Sequence, residues 1–361
     1  MLLDERIGLI SGRRLALLTD QAGVDEHGTP DAELLANDAR ARKARVTLLV
    51  HFTPEDGSPF PDSTLRGVQT MIVDLQDVGT RGWSSAGMVV SAMRAAARHQ
   101  IPVLVLDRPN PITGSRVEGP LLDSALVNAN DLSSAAPGKA SALYPGPLRH
   151  GMTIGELARL LNARLDIGAE LTVVPMRGWH RDQWFDRTGL PWVRLSPNIT
   201  SLTSALLYPA LVAFEATNLS VGSGTSDAYQ RVGAPWLKAR DVVELLRDRP
   251  LPGVKFDVES FIPESPSDGK YAGHVVAGIR IRVTDRERVN AARVGASLLW
   301  AIAKTTPESL IIDAAGFDLR VGAPRVRLAL LRGEEPDAVL DRELPAVILF
   351  RESIKPFLLY R

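Results

Sequence analysis

Four short segments in the first half of the chain are apolar through their centres: Arg14-Leu15-Ala16-Leu17-Leu18, Val46-Thr47-Leu48-Leu49-Val50, Thr70-Met71-Ile72-Val73-Asp74 and Pro102-Val103-Leu104-Val105-Leu106. Each is too short for a buried helix and rich enough in branched residues for a strand. Between them lie stretches of helical spacing, from Pro30 to Ala44 and from about Ala86 to His99. Strands that are apolar at successive positions need cover on both faces, which a parallel sheet flanked by helices supplies. The α/β class follows from that alternation. A helix is also expected from Met152 to Leu165, with Thr153 at its N-cap and Glu156 three residues on, the pattern of a capping box. Leu171-Thr172-Val173-Val174 reads as a further strand.

A second block opens near residue 195. Val254 to Ile262 and His274 to Thr284 alternate like strands, and Asp285 to Lys304 has helical spacing. With 361 residues, two domains are expected, 1–197 and 198–361. The run from Ser133 to Gly146, rich in Ala, Gly, Ser and Pro, reads as a long surface loop.

Composition narrows the function. Forty-two cations balance forty-two anions, so nothing points to nucleic acid or an anionic membrane surface. The absence of cysteine excludes disulfides, thiolate metal sites and cysteine nucleophiles. No run approaches the roughly 18 consecutive apolar residues of a membrane span, so no membrane insertion is expected. The opening Met1-Leu2-Leu3-Asp4-Glu5-Arg6 carries no basic stretch followed by an apolar run. The expectation is a cytoplasmic protein, or an exported one whose leader has been removed. Oligomeric state is left open.

Gly222-Ser223-Gly224 lacks the third glycine of a dinucleotide fingerprint, and no P-loop occurs. The six histidines form no i, i+4 pair, and no G-x-S-x-G elbow is present. Neither a cofactor nor a metal is therefore expected. What remains is carboxylate chemistry. Glu55, Asp77, Asp107, Glu118 and Glu215 all sit beside glycine, proline or asparagine, several just after predicted strands, where open α/β sheets bind ligands. For any one of them, helix capping or pairing with an arginine is the commoner use. Together they suit glycosidic cleavage, in which one acid protonates the leaving oxygen and another acts as nucleophile or activates water. Arg81, Arg108 and Arg149 are available to hold an anionic substrate group.

These motifs occur in a telling order. Gln76-Asp77-Val78-Gly79-Thr80-Arg81, Asp107-Arg108-Pro109-Asn110-Pro111, Val117-Glu118-Gly119-Pro120 and Arg149-His150-Gly151-Met152-Thr153 precede Ser196-Pro197-Asn198, Phe214-Glu215-Ala216-Thr217-Asn218 and Gly233-Ala234-Pro235-Trp236. The whole chain thereby resembles the exo-β-N-acetylmuramidase (NamZ-like) family, long catalogued as a domain of unknown function. The resemblance implies a Rossmann-like N-terminal domain, a smaller α/β C-terminal domain and a site in the cleft between them. It further implies release of N-acetylmuramic acid from the non-reducing end of peptidoglycan fragments, so the expected partner is a small carbohydrate or muropeptide. On this basis Glu55 is expected to be the proton donor, and Asp77 or Glu118 the second carboxylate. Arg81, Arg108 or Arg149 would meet the lactyl carboxylate. Asp107, Asn110, His150, Asn198, Glu215 and Asn218 complete the expected binding set.

The chain departs from its relatives in three places. Thr53-Pro54-Glu55-Asp56-Gly57 stands where they carry Ser-Pro-Glu-His-Gly, and the stretch that follows is shorter. Gly82-Trp83-Ser84-Ser85 replaces Phe-Tyr-Thr-Tyr. Ser220-Val221-Gly222-Ser223-Gly224-Thr225 lacks the two charges of Ser-Glu-Gly-Arg-Gly-Thr. Two alternatives therefore stand beside the muramidase: a non-catalytic binder of sugar or cell-wall fragments, and a glycosidase of altered specificity.

Overall fold

The computed structural model describes residues 1–52, 60, 62–128 and 142–361. After a short helix α1 (Leu2–Glu5), the first half supplies β1 (Arg14–Thr19), α2 (Asp31–Asn37), α3 (Ala39–Lys43), β2 (Thr47–Phe52), β3 (Thr70–Asp74), α4 (Ser85–Arg98) and β4 (Val103–Leu106). There follow β5 (Glu118–Leu121), β6 (Pro147–Arg149), α5 (Ile154–Arg164) and β7 (Leu171–Val174). Strands β2-β1-β3-β4-β7 form one parallel sheet in that order. Helices α4 and α5 bury Met88, Val89, Leu157 and Leu161 on one face with Val73 and Val105. Leu2 of α1 and Leu35 of α2 cover the other face over Leu15, Leu17, Ile72 and Leu104. Strands β1 and β3 show the expected two-sided burial, whereas the edge strand β2 does not, with Thr47, Leu49 and His51 exposed.

The chain leaves β1 for β2 on one side and then returns to β3 on the other. The crevice between the β1 and β3 loops is thus the topological switch point, where ligands of open α/β sheets bind.

The helix expected from Pro30 to Ala44 is two helices. Asp38 adopts an extended conformation (φ −62°, ψ 138°), and its side chain accepts from the Arg40 N–H at 2.7 Å, capping α3. The Thr153–Glu156 capping box forms as expected: the Thr153 hydroxyl accepts from the Glu156 N–H at 3.3 Å, and the Glu156 carboxylate accepts from the Thr153 N–H at 3.0 Å.

In the second half, α6 (Leu202–Leu211) is followed by β8 (Arg231–Ala234), α7 (Ala239–Arg247), β9 (Val254–Phe261), β10 (Val276–Val283) and α8 (Ala291–Thr305). Strands β8-β10-β9 make an antiparallel sheet. Helix α8 begins six residues later than its spacing suggested. Asp285 forms a local turn with the Glu287 N–H, and Asn290 supplies the N-cap to Arg293. Gly295 lets α8 approach α6 closely, since a Cβ there would lie 2.3 Å from the Ala210 carbonyl oxygen.

The chain ends in α9 (Ala314–Val321), α10 (Pro324–Leu331), α11 (Pro336–Asp341) and α12 (Leu344–Ile354). Phe350 and Ile354 of α12 join the core beneath α4 and α5 rather than that of the second half. The tail beyond it is bonded to the first half as well, with Leu359 N–H donating to Glu156 at 2.8 Å and Tyr360 Oη to Asp107 at 2.6 Å. Among the described residues no helix is long and apolar enough to cross a membrane.

Candidate active site

Asp77 follows β3 at the carboxyl edge of the sheet and is 2% exposed. Gly79, at φ +83°, turns the chain so that its own N–H donates to Asp77 Oδ1. A Cβ at Gly79 would lie 2.6 Å from Asn110 Oδ1, so the turn tolerates only glycine. Ser85 Oγ donates to Asp77 Oδ2, and His150 Nε2 stands 3.1 Å from Oδ1. His150 Nδ1 accepts the Met152 N–H at 3.1 Å. With Nδ1 occupied as acceptor, the neutral ring carries its proton on Nε2 and donates it to Asp77. Three donors, from Asp77's own turn, the first residue of α4 and the end of β6, therefore hold one carboxylate in a single orientation.

Two tyrosines face this group. Tyr144, 2% exposed, has no hydrogen-bond partner for its hydroxyl among the described residues. Burial and the Asp77 charge push that phenol above its ordinary range, while Arg81 pulls it down. Burial likewise raises Tyr208, followed by the charge of Glu215, with Arg320 opposing and Asp77 adding. Asp77 from the first half and Glu215 from the second thus share one neighbourhood around Tyr208. The partly exposed Trp83 ring meets Tyr208 edge-on at 5.8 Å, and Tyr208 meets Tyr229 at 4.8 Å. Glu215 accepts from the Tyr229 hydroxyl and from Arg320 Nε at 3.3 Å.

The other expected residues have definite places. Glu55 lies outside the described residues, as do Thr53, Pro54, Asp56 and Gly57. Glu118 Oε1 accepts from Arg149 Nη1 at 2.9 Å, and its Oε2 accepts the Ala291 N–H at the start of α8 at 3.1 Å. Arg149 is fully buried, donates to the Ile112 carbonyl as well, and is lowered by burial. It sits on β6 beside His150 but points the opposite way, as successive residues of a strand do. Arg81 is buried, pushed down to about 10 by burial, and donates to the carbonyls of Leu319 and Arg320 at 3.0 and 3.1 Å. Arg108 forks onto Asp74, with Nη2 to Oδ2 at 2.8 Å and Nε to Oδ1.

Asn110 ties its loop to the Met152 carbonyl at 2.9 Å. Asn198 donates to Ser267 Oγ and accepts from Ser223 Oγ. Asn218 is bonded to the main chain of Ser309 and Ile311. The structure thus brings Asp77 and Glu215 into the surroundings of Tyr208, with His150 held on Asp77, whereas Glu118 and Arg149 form a separate buried pair. Sequence reasoning missed Tyr144, which ends the segment read as a surface loop, and Ser85, which registered only as a lost tyrosine. Among the described residues no group of three Asp, Glu or His side chains has the arrangement of a metal site.

Asp107 serves α5: its carboxylate accepts from the Gly155 N–H at 2.8 Å, Thr153 Oγ1 at 2.7 Å and the Tyr360 hydroxyl. Burial pushes it up to about 7 from an ordinary 3.8, and burial lifts Asp20 to about 6. Between these values the folded protein keeps protons that the unfolded chain has lost, so unfolding gains as pH rises. The stability from these two groups is complete below about pH 4 and is lost as pH rises through about 6 to 7. Urea unfolding at intervals across that range is expected to show the decline, with a flatter profile in Asp107→Asn.

Comparison with known proteins identifies the family and the fold. Residues 58–203 match the family described as exo-beta-N-acetylmuramidase NamZ, N-terminal, and residues 206–360 match its C-terminal counterpart. The peptidoglycan beta-N-acetylmuramidase NamZ of Bacillus subtilis (strain 168) is 34% identical over 381 residues, covering 97% of this chain and 88% of the relative. A crystal structure of a DUF1343 family protein from Bacteroides fragilis NCTC 9343 superposes with a TM-score of 0.86 at 24% identity, covering 100% of this chain and 97% of that one. A second from the same organism gives 0.78 at 23% identity over 99% and 98%. At such identities the two structures speak for the fold alone.

Proposed function

Because the chain belongs to the exo-beta-N-acetylmuramidase NamZ family, we propose that it is a glycoside hydrolase releasing N-acetylmuramic acid from the non-reducing end of peptidoglycan fragments. The observation that carries this reading is the Asp77 carboxylate, oriented by Gly79, Ser85 and His150 and capping no helix. Glu118 and Asp107, by contrast, accept the N–H groups of Ala291 and Gly155 at the starts of α8 and α5. Asp77 is the second carboxylate of the reaction. Glu55, which lies outside the described residues, is assigned as the proton donor to the leaving oxygen.

The lactyl carboxylate is assigned to Arg81. Arg81 follows Asp77 by four residues in the segment between β3 and α4. Trp83, partly exposed against Tyr208, offers an aromatic wall to a pyranose ring.

The test compares a chromogenic N-acetylmuramic acid glycoside with the matching N-acetylglucosamine glycoside, which lacks the lactyl group. Turnover of the first alone is the expected result. Equal turnover of both would indicate altered specificity. Binding by calorimetry without turnover would establish a non-catalytic binder, a reading favoured by the burial of Asp77.

A further inference from the structure

A cavity of about 830 Å³ opens at the carboxyl end of β3, β4 and β7, on the face covered by α1 and α2. None of Asp77, His150, Tyr144, Tyr208 or Glu215 lines it. Its floor is apolar, from Leu35, Leu106 and Val174, and it is large enough for a monosaccharide or an amino acid. We propose that this cavity is a second binding site, for a small ligand carrying a protonated primary amine with an acceptor oxygen beside it.

Two independent features of the wall point there. The first is an excess of carboxylate. Asp31 and Asp74 line the cavity with Arg108, and Asp20 lies beside them, accepting the N–H groups of Ala22 and Gln76. The Arg108 fork is taken by Asp74, and its Nη2 stays 3.6 Å from Asp31 Oδ2. That Asp31 oxygen is buried and has no hydrogen-bond partner among the described residues. Burial, then the Asp74 charge and a side-chain hydrogen bond with Asp74, push the Asp31 carboxyl well above the ordinary range and favour a proton on it. An ammonium group supplies a donor to the open oxygen and, by displacing that proton, the positive charge that lets both acids ionise.

The second feature is a donor. Trp179 lines the same cavity, is 6% exposed, and its indole N–H also has no partner among the described residues. An indole nitrogen can only donate, so it calls for an oxygen on the ligand. An amine and an acceptor oxygen on one small molecule describe a free amino sugar or the amino end of an amino acid. The rim carries Asp25 and Glu26 but also Arg40 and Arg177, so the attraction for a cation rests on the wall rather than the rim.

Calorimetry with the intact protein tests this without reference to turnover. Glucosamine is compared with N-acetylglucosamine, and L-alanine with N-acetyl-L-alanine, so that the arm that binds identifies the source of the amine. A free amine is expected to bind about tenfold or more tightly than its acetylated partner, the scale of one charge-assisted hydrogen bond. Asp31→Asn is expected to abolish that preference, and Trp179→Phe to weaken amine binding while keeping the ring contact with Tyr360. Equal affinity for free and acetylated ligands, no binding by either amine, or a preference retained in Asp31→Asn overturns the proposal. Should Asp31→Asn fail to fold, unchanged amine affinity in Trp179→Phe does so instead.

Discussion

Asp77→Asn is expected to fold normally and to lose most of its turnover of a muramic acid glycoside, with kcat falling by about 10²- to 10⁴-fold. The amide is the right shape for the site. Its remaining oxygen can accept from Gly79 N–H and His150 Nε2, and the Ser85 hydroxyl can rotate to accept from the new NH₂ group. What the amide cannot do is act as nucleophile or take a proton from water. Glu55→Gln is expected to fall by a similar factor, because the leaving oxygen then departs without its proton. The two variants separate roles through the leaving group. A substrate with a good leaving group should rescue Glu55→Gln and leave Asp77→Asn slow. Full activity in Asp77→Asn, with melting unchanged, would assign Asp77 to structure and remove it from the mechanism.

Arg149→Met is expected to be the most destabilising change in the neighbourhood, costing about 3–5 kcal/mol. Methionine fills much of the space, yet it leaves Glu118 Oε1 buried without its cation and the Ile112 carbonyl without its donor. Guanidinium unfolding would show the loss as a shift in midpoint at constant slope. The double variant Glu118→Gln, Arg149→Met should recover part of the stability, since the unpaired charge is gone while the amide can still bond the Ala291 N–H. A loss under about 1 kcal/mol in the single variant would mean that the pair behaves like a surface ion pair.

Strand positions in the sheet were legible because burial on two faces leaves a mark at every residue, as at Leu15 to Leu18 and Met71 to Val73. The capping box at Thr153 was legible because it is local. Asp38 was not, because a break between two helices with one continuous spacing depends on a side chain folding back on its own backbone. Family motifs located Asp77, His150 and Glu215, but not which of their neighbours use them. Glu118 lies in an equally well-marked motif and turns out to hold the start of α8, a partner 173 positions away. Tyr144 and Asp31 carried no signal at all. A tyrosine at the end of a Gly- and Pro-rich loop and an aspartate in the first turn of a helix read as ordinary surface residues until the packing places them.

The return of the chain end to the first sheet has a consequence for how the protein is made. Asp107, Glu156 and Arg159 receive partners from residues 357–360, and the Arg181 N–H donates to the carbonyl of Arg361. During synthesis the N-terminal half emerges first and domains generally fold as they appear. Here that half cannot complete its own hydrogen bonding until residues 357–361 have left the ribosome. A nascent chain stalled before residue 357 would hold a formed sheet with an unlatched α5.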